Sequence, residues 1–179
     1  IIPHLPDRRA FLEIGSFEGR SMVWIAENMV AEAMQADIYC IDTWEGGEEH
    51  GDQDMGSVEE RFDHNAALVE QQKLAHIHKC KRTSVQELAH WLVETPKDYP
   101  SMDFIYIDGS HTAPDVLTDA CMAWPLLKQS GIMVFDDYMW GPSRDILHRP
   151  KLAIDSFTNI FAEQLDIVHV GYQLIVRKR

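Results

Sequence analysis

The amino-acid sequence predicts a three-layer α/β sandwich built on a seven-stranded, mostly parallel sheet that ends in an antiparallel hairpin. Three observations carry this. Short apolar runs alternate with helical stretches along the chain, the pattern of a parallel sheet with helices on both faces. Four of those runs stop at a glycine or an acid: Gly15, Asp42, Asp108 and Asp136. The last two runs, 166–170 and 172–176, flank Gly171 alone, and strands that close can only pair as a hairpin.

Taken in order, the first strand covers residues 10–14. A helix over about 19–34 follows, because Val23, Ala26, Met29, Val30 and Ala33 recur at helical steps. The second strand covers 37–41 and stops at Asp42. Residues 45–56 hold four glycines and five acids and nothing that packs a core, so they read as a surface loop. A helix over 57–69 and a third strand over 75–78 come next. Ser84 and Glu87 read as a capping box that opens a helix to about residue 94, and Pro96 and Pro100 then mark a loop. The fourth strand covers 104–107 and stops at Asp108. Thr112 caps a helix to about 127, with Pro114 tolerated in its first turn. Gly131 is expected to break the chain before a fifth strand over 132–135, and Pro150 to open a last helix through about 164.

The 179 residues suit one domain with one core, so residues 1–179 are expected to form a single unit. Opening on Ile1 without Met, the chain reads as a trimmed or incomplete product. No apolar run approaches the roughly 20 residues of a membrane span. A formal net charge of −13 repels phosphate backbones and disfavours a nucleic-acid partner. Cys40, Cys80 and Cys121 show neither a metal-ligand spacing nor an even count for disulfides, which fits reduced thiols in a cytoplasmic protein.

Ligands on open α/β sheets bind beyond the carboxyl ends of the strands. Acids gather there: Glu13 and Glu18 around the first end, Asp42 after the second, Asp108 after the fourth, Asp136 and Asp137 after the fifth. Gly15 and Gly19 permit a tight turn with ligand close to backbone amides. Their Gly-x-x-x-Gly spacing is not the Gly-x-Gly-x-x-Gly of nicotinamide sites, and Glu18 would repel a pyrophosphate. A ligand with an ammonium and a carboxylate is better tolerated. Asp42 lies 23 residues after Gly19, near the offset of about 20 at which an acid meets a ribose diol. Trp44 is placed to lie against a base.

The segments FLEIGSFEGRS, YCIDTW, DFIYIDGSHT and WPLLKQSGIMVFDDY resemble the class I S-adenosylmethionine (SAM)-dependent methyltransferases, and within them the small-molecule O-methyltransferase branch that acts on catechols and sugars. The resemblance spans about residues 10–176 and implies a Rossmann-like fold. It implies a SAM site at Glu13, Gly15, Ser16, Gly19, Ser21, Asp42, Trp44, Ser84 and Asp108. It implies a divalent cation, Mg²⁺ or a similar hard ion, on Asp108, Asp136 and Asp137. His111 stands where relatives often carry a lysine base, and its ordinary pKa of about 6.5 suits proton removal near neutrality; it also reads as a further ligand or a loop-ordering residue. His148 and Trp140 are placed to line an acceptor pocket. The implied reaction moves a methyl group to a hydroxyl of a small molecule, with a homo-oligomer left open. Two other classes compete. One is an oxidoreductase, either NAD-dependent or a non-haem iron hydroxylase, which would need two histidines and a carboxylate. The other is a non-catalytic SAM-binding module.

Overall fold

The computed structural model describes residues 9–30, 36–47, 50–51, 53–94, 101–141 and 145–179. One seven-stranded sheet organises them, in the order β3-β2-β1-β4-β5-β7-β6. Strands β1 (Ala10–Ile14), β2 (Asp37–Asp42), β3 (His76–Lys81), β4 (Met102–Ile107) and β5 (Leu127–Phe135) run parallel. Strand β7 (Leu174–Lys178) lies antiparallel between β5 and β6 (Leu165–Val170), so the terminal hairpin closes one edge as expected.

Helices cover both faces. Leu12, Ile14, Ile105, Ile107, Met133 and Phe135 point to the face packed by α3 (Ser84–Ala89), α4 (Ala113–Ala123) and α5 (Pro150–Ile160). Phe11, Ile38, Cys40, Phe104 and Val134 point to the face packed by α1 (Arg20–Asn28) and α2 (Met55–Gln71). Odd and even strand positions therefore feed two separate apolar layers, the consequence of a two-residue side-chain period on a sheet covered twice. Among the described residues no helix is long and apolar enough to cross a membrane.

Several boundaries differ from expectation. Helix α1 ends at Asn28, and the predicted extension over 31–34 lies outside the described residues, as do Pro96 and Pro100. Helix α2 starts earlier, because Asp54 caps it by accepting from the Gly56 and Ser57 amides. The capping box is shifted by one residue: Thr83 is the cap and Gln86 its reciprocal partner, while Ser84 is the first helical residue and Glu87 pairs with Arg82. A wide π-turn, His90–Glu94, continues α3. Strand β5 begins at Leu127, ahead of the expected 132, but its pairing with β4 jumps from Leu127 to Ile132 and Ser130 has φ 64°, so the regular ladder starts just after Gly131, where a Cβ would stand 2.7 Å from the Leu127 side chain.

Candidate functional site

The β1–α1 loop passes directly over the end of β4. A Cβ at Gly15 would lie 2.1 Å from the Asp108 carbonyl oxygen, and the residue has φ 84°. Only glycine fits both constraints. Gly19, at φ 79°, then leads into α1, with Met22 and Phe62 filling the space beside it. Asp42 fixes the loop from the neighbouring strand. Its Oδ2 accepts from the Ser16 and Phe17 amides at 2.8 and 2.9 Å, and its Oδ1 from the Trp44 amide at 2.7 Å. The Trp44 indole N–H donates to the Phe17 carbonyl at 2.8 Å, which ties β2 to the loop a second time.

A cavity of about 1540 Å³ opens above these strand ends. It is lined by Gly15, Ser16, Ser21, Asp42, Ser84, Asp108, His111, Asp136 and Asp137, so nine of the residues singled out in the sequence meet in one place. Trp140 and His148 line it too. Three singled-out residues do not. Trp44 is 3% exposed, with its ring packed on Phe62 at 4.7 Å and under Lys79; it belongs to the core and offers no face to a base. Gly19 serves the turn and is not on the cavity wall. Glu13 is completely buried beneath the loop.

Glu13 is nonetheless unusual. Neither carboxylate oxygen has a hydrogen-bond partner of normal geometry among the described residues, and the Ser16 hydroxyl beside it is also unmatched. Burial pushes its pKa up to about 7, against the weaker opposing influence of Ser16, Ser21 and Cys40. Asp42 also departs from the simple expectation. A carboxylate offers about four acceptor positions, and backbone amides take three of Asp42's. It faces the cavity, but bidentate capture of a diol is not what this geometry offers.

The second half of the rim is organised by side chains. Ligand atoms of Asp108, His111 and Asp137 lie within 4.8 Å of one another. His111 Nε2 stands 2.6 Å from Asp137 Oδ2, and its ring stacks on Trp140 at 4.4 Å. Tyr172 donates its hydroxyl to Asp137 Oδ1 at 2.6 Å. Asp136, expected beside Asp137 as a metal ligand, is held differently: it accepts from the Tyr106 hydroxyl and, at 2.8 Å, from the Asp137 amide. The group that converges is thus Asp108, His111 and Asp137. The two adjacent acids separate because Asp137 adopts a left-handed conformation, φ 54°, at the start of the turn after β5.

Electrostatics agree with this layout. Burial, followed by the charges of Asp136, Asp137 and Glu13, pushes the Asp108 pKa up to about 8. Burial also works against the Asp137 carboxylate, but hydrogen bonds from His111 and Tyr172 outweigh it and hold its pKa below the ordinary value. The Tyr172 hydroxyl is in turn pushed up to about 12, first by its bond to Asp137. A divalent cation would relieve this carboxylate crowding, and two carboxylates with one imidazole are a suitable donor set. Non-haem iron hydroxylases instead need two histidines and one carboxylate. The two tyrosines were not singled out from sequence. Tyr106 could have been, since it lies on β4 two residues before Asp108, which follows that strand; Tyr172 sits in a hairpin turn that carries no local signal.

The sheet order, with its cavity at the strand ends where β1 and β4 meet, defines an α/β ligand-binding fold of the doubly wound kind. A family model described as a methyltransferase domain matches residues 12–138, and the chain belongs to that family. An uncharacterized protein of Acanthamoeba polyphaga mimivirus is 27% identical over 140 residues, 76% of this chain and 56% of that protein; the chain spans about half the length of this curated relative. Among solved structures, an O-methyltransferase from Bacillus cereus in complex with S-adenosylhomocysteine (SAH) is 16% identical, with a TM-score of 0.65 over 96% of this chain and 74% of that one. The methyltransferase MycE of the mycinamycin biosynthetic pathway, in complex with Mg, SAH and mycinamycin VI, is 16% identical, with a TM-score of 0.61 over 99% of this chain and 47% of that one.

Proposed function

We propose that this chain is a SAM-dependent O-methyltransferase acting on a hydroxyl of a small molecule, with a divalent cation beside the methyl donor. One observation carries the reading: the Asp108, His111 and Asp137 group shares a cavity with the glycine-turn loop. The donor's amino-acid end fits along Gly15, Ser16 and Ser21; the Gly15 and Ser16 amides already donate to Ile41 and Asp42, so the amides left for it are those opening α1 beside Ser21. Asp42 holds that loop in shape and has one acceptor position left for a ribose hydroxyl. The solved structures with SAH, and the one with Mg, support the reading by analogy of fold.

Asp108 and Asp137 would hold the ion, which as a Lewis acid lowers the pKa of an acceptor hydroxyl. Tyr172 orients Asp137, and Tyr106 orients Asp136 as an outer support. His111 either completes the ligand set or takes the acceptor's proton; its Nε2 cannot do both at once. Methyl transfer is an in-line displacement that needs alignment more than covalent help. A site without an activated serine or cysteine fits that requirement. The acidic chain, net charge −13, favours a small-molecule acceptor over nucleic acid.

Calorimetric titration with SAM and SAH, with and without Mg²⁺, tests the proposal. Binding of SAH, strengthened or made productive by the ion, supports it. Protein indifferent to both nucleosides at every Mg²⁺ concentration refutes it. A His111→Ala variant that binds Mg²⁺ normally but loses turnover assigns His111 to proton removal rather than ligation.

A further inference from the structure

The cavity is larger than a methyl donor needs. A pocket for one small ligand spans roughly 300–1,000 Å³, and this one reaches about 1540 Å³. Part of it is an arm that leaves the strand ends and runs down the α1 side of the sheet. Phe104, Val134 and Ile175, one each from β4, β5 and β7, floor the arm, and Trp24 and Ile25 of α1 wall it. Among the described residues, α1 packs mainly against β2 and α2 against β3 on this side, which leaves the β4–β5–β7 portion to the cavity. Phe104 lies four residues before Asp108, so the arm descends roughly 13 Å from the ion group, at about 3.3 Å per residue. The three floor residues are each at most 5% exposed. An enclosed slot of this kind has no open side for a helix, whose diameter is about 10 Å, and it suits a thin apolar group.

Polar side chains stand at the arm's entrance. Tyr106 lies beside Val134, and Val134 beside Ile175, across the sheet. The Tyr106 hydroxyl is already engaged: it donates to Asp136 and accepts from Gln173 Nε2 at 3.3 Å. Near the ion group, Trp140 stacks on His111 and lines the cavity, so an aromatic acceptor would meet an aromatic neighbour. We infer that the acceptor is a phenol carrying an apolar substituent, with its hydroxyl beside Asp108 and Asp137 and its substituent in the arm. This rests on the SAM reading. The phenol oxygen bonds to the donor's methyl carbon as the carbon–sulfur bond breaks and leaves its electron pair on sulfur. The products are an aryl methyl ether, SAH and the phenol's proton. A phenol has a pKa of about 10, so removing its proton asks less of the site than an aliphatic alcohol would. A sugar in the same place would bury hydroxyls against Phe104, Val134 and Ile175, which offer them no partner.

The test is calorimetry on the whole chain, saturated with SAH and Mg²⁺, using phenol and its para-ethyl, para-butyl and para-hexyl derivatives. Affinity should rise roughly three- to fourfold with each methylene, the transfer gain of one buried CH₂. Val134→Phe shortens the arm and should flatten that rise while SAH still binds. A flat series in the wild type overturns the inference, as does a rise that survives unchanged in Val134→Phe. Binding of SAH but of no phenol overturns it too. All three outcomes leave the SAM reading standing, whereas a wild type that binds no SAH fails that reading itself. If Val134→Phe loses its cooperative thermal transition, Trp24→Asp replaces it, since Trp24 is half exposed and tolerates a charge. A flattened series in Trp24→Asp supports the inference and an unchanged one overturns it.

Discussion

Asp42 ends β2 and Asp108 follows β4, with only β1 between the two strands. Both acids face the same cavity. Asp42 receives three backbone amides and organises the loop around itself. Asp108 faces Asp136, Asp137 and Glu13, and is pushed toward its neutral form. One half of the rim is thus complete without a ligand. The other half is crowded with like charge, and a cation would stabilise it. An acid saturated by backbone donors supports a fold, whereas an acid opposed by other acids marks a place where chemistry has been favoured over stability.

The largest expected effect falls on the complete half. Asp42→Ala strips acceptors from three amides at once and should lower stability by about 3–5 kcal/mol, with SAH binding lost as the loop opens. Denaturant unfolding measures the first and calorimetry the second. If Asp42→Ala unfolds like the wild type, the amide contacts do not hold the loop and the contrast between the halves collapses.

Glu13 supplies a pH-dependent test. Its pKa rises from 4.5 to about 7 in the fold, so between those values the native state keeps a proton that the unfolded chain has lost. Stability must therefore fall as pH rises across that window, Glu13 contributing roughly 3 kcal/mol at most, and Asp108, raised to about 8, carries the fall beyond it. Asp119 acts in the same direction below about pH 6. Glu13→Gln should remove Glu13's share of this fall and leave that of Asp108 and Asp119. Melting temperatures between pH 4.5 and pH 8 check it, each kcal/mol moving the midpoint by roughly 2–4 °C in a domain of this size. A stability that climbs through the same window contradicts the burial of a neutral Glu13.

On the crowded half, the prediction inverts the usual cost of mutation. Asp108→Asn should reduce methyl transfer by about 100-fold, yet at pH 8 and without a divalent ion it should melt no lower than the wild type. Removing a like charge relieves Asp136 and Asp137. Activity assays and melting curves, each with and without Mg²⁺, report the two halves of that statement. A marked loss of stability would mean that Asp108 has a structural partner like Asp42's.

Strand ends were legible because glycines and acids mark them, and the rim follows from the strand ends. The details that failed are ones where the sequence offers two equivalent choices. Thr83 with Gln86 and Ser84 with Glu87 are both hydroxyl–acceptor pairs at capping spacing; backbone geometry selects the first. Asp136 and Asp137 are neighbours of the same type, and only the positive φ at Asp137 sends one to His111 and the other to Tyr106. The spacing of Asp42 from the glycine loop identifies an acid at the right strand but says nothing of where its lone pairs point. The sequence leaves Trp44 open because an aromatic after a strand fits a ligand or a core equally well, and the contact with Phe62 decides for the core.

The smallest effect probes the same contrast most closely. Tyr172 is more than half exposed and touches the ion group only through its hydroxyl on Asp137. Tyr172→Phe should change stability by less than about 1 kcal/mol, because the lost hydrogen bond is at the surface. It should nevertheless weaken Mg²⁺ binding by about tenfold, the lower end of what an orienting partner of a ligand contributes. Without the tyrosine, Asp137 keeps His111 and loses one of the two bonds that hold its pKa down. The Asp137 carboxyl should then titrate at higher pH, and metal binding should weaken most at the acid end of the range, where protons compete with the ion. Titrating Mg²⁺ at pH 6 and pH 8 in both proteins separates this from a general loosening of the site, which would weaken binding equally at the two values.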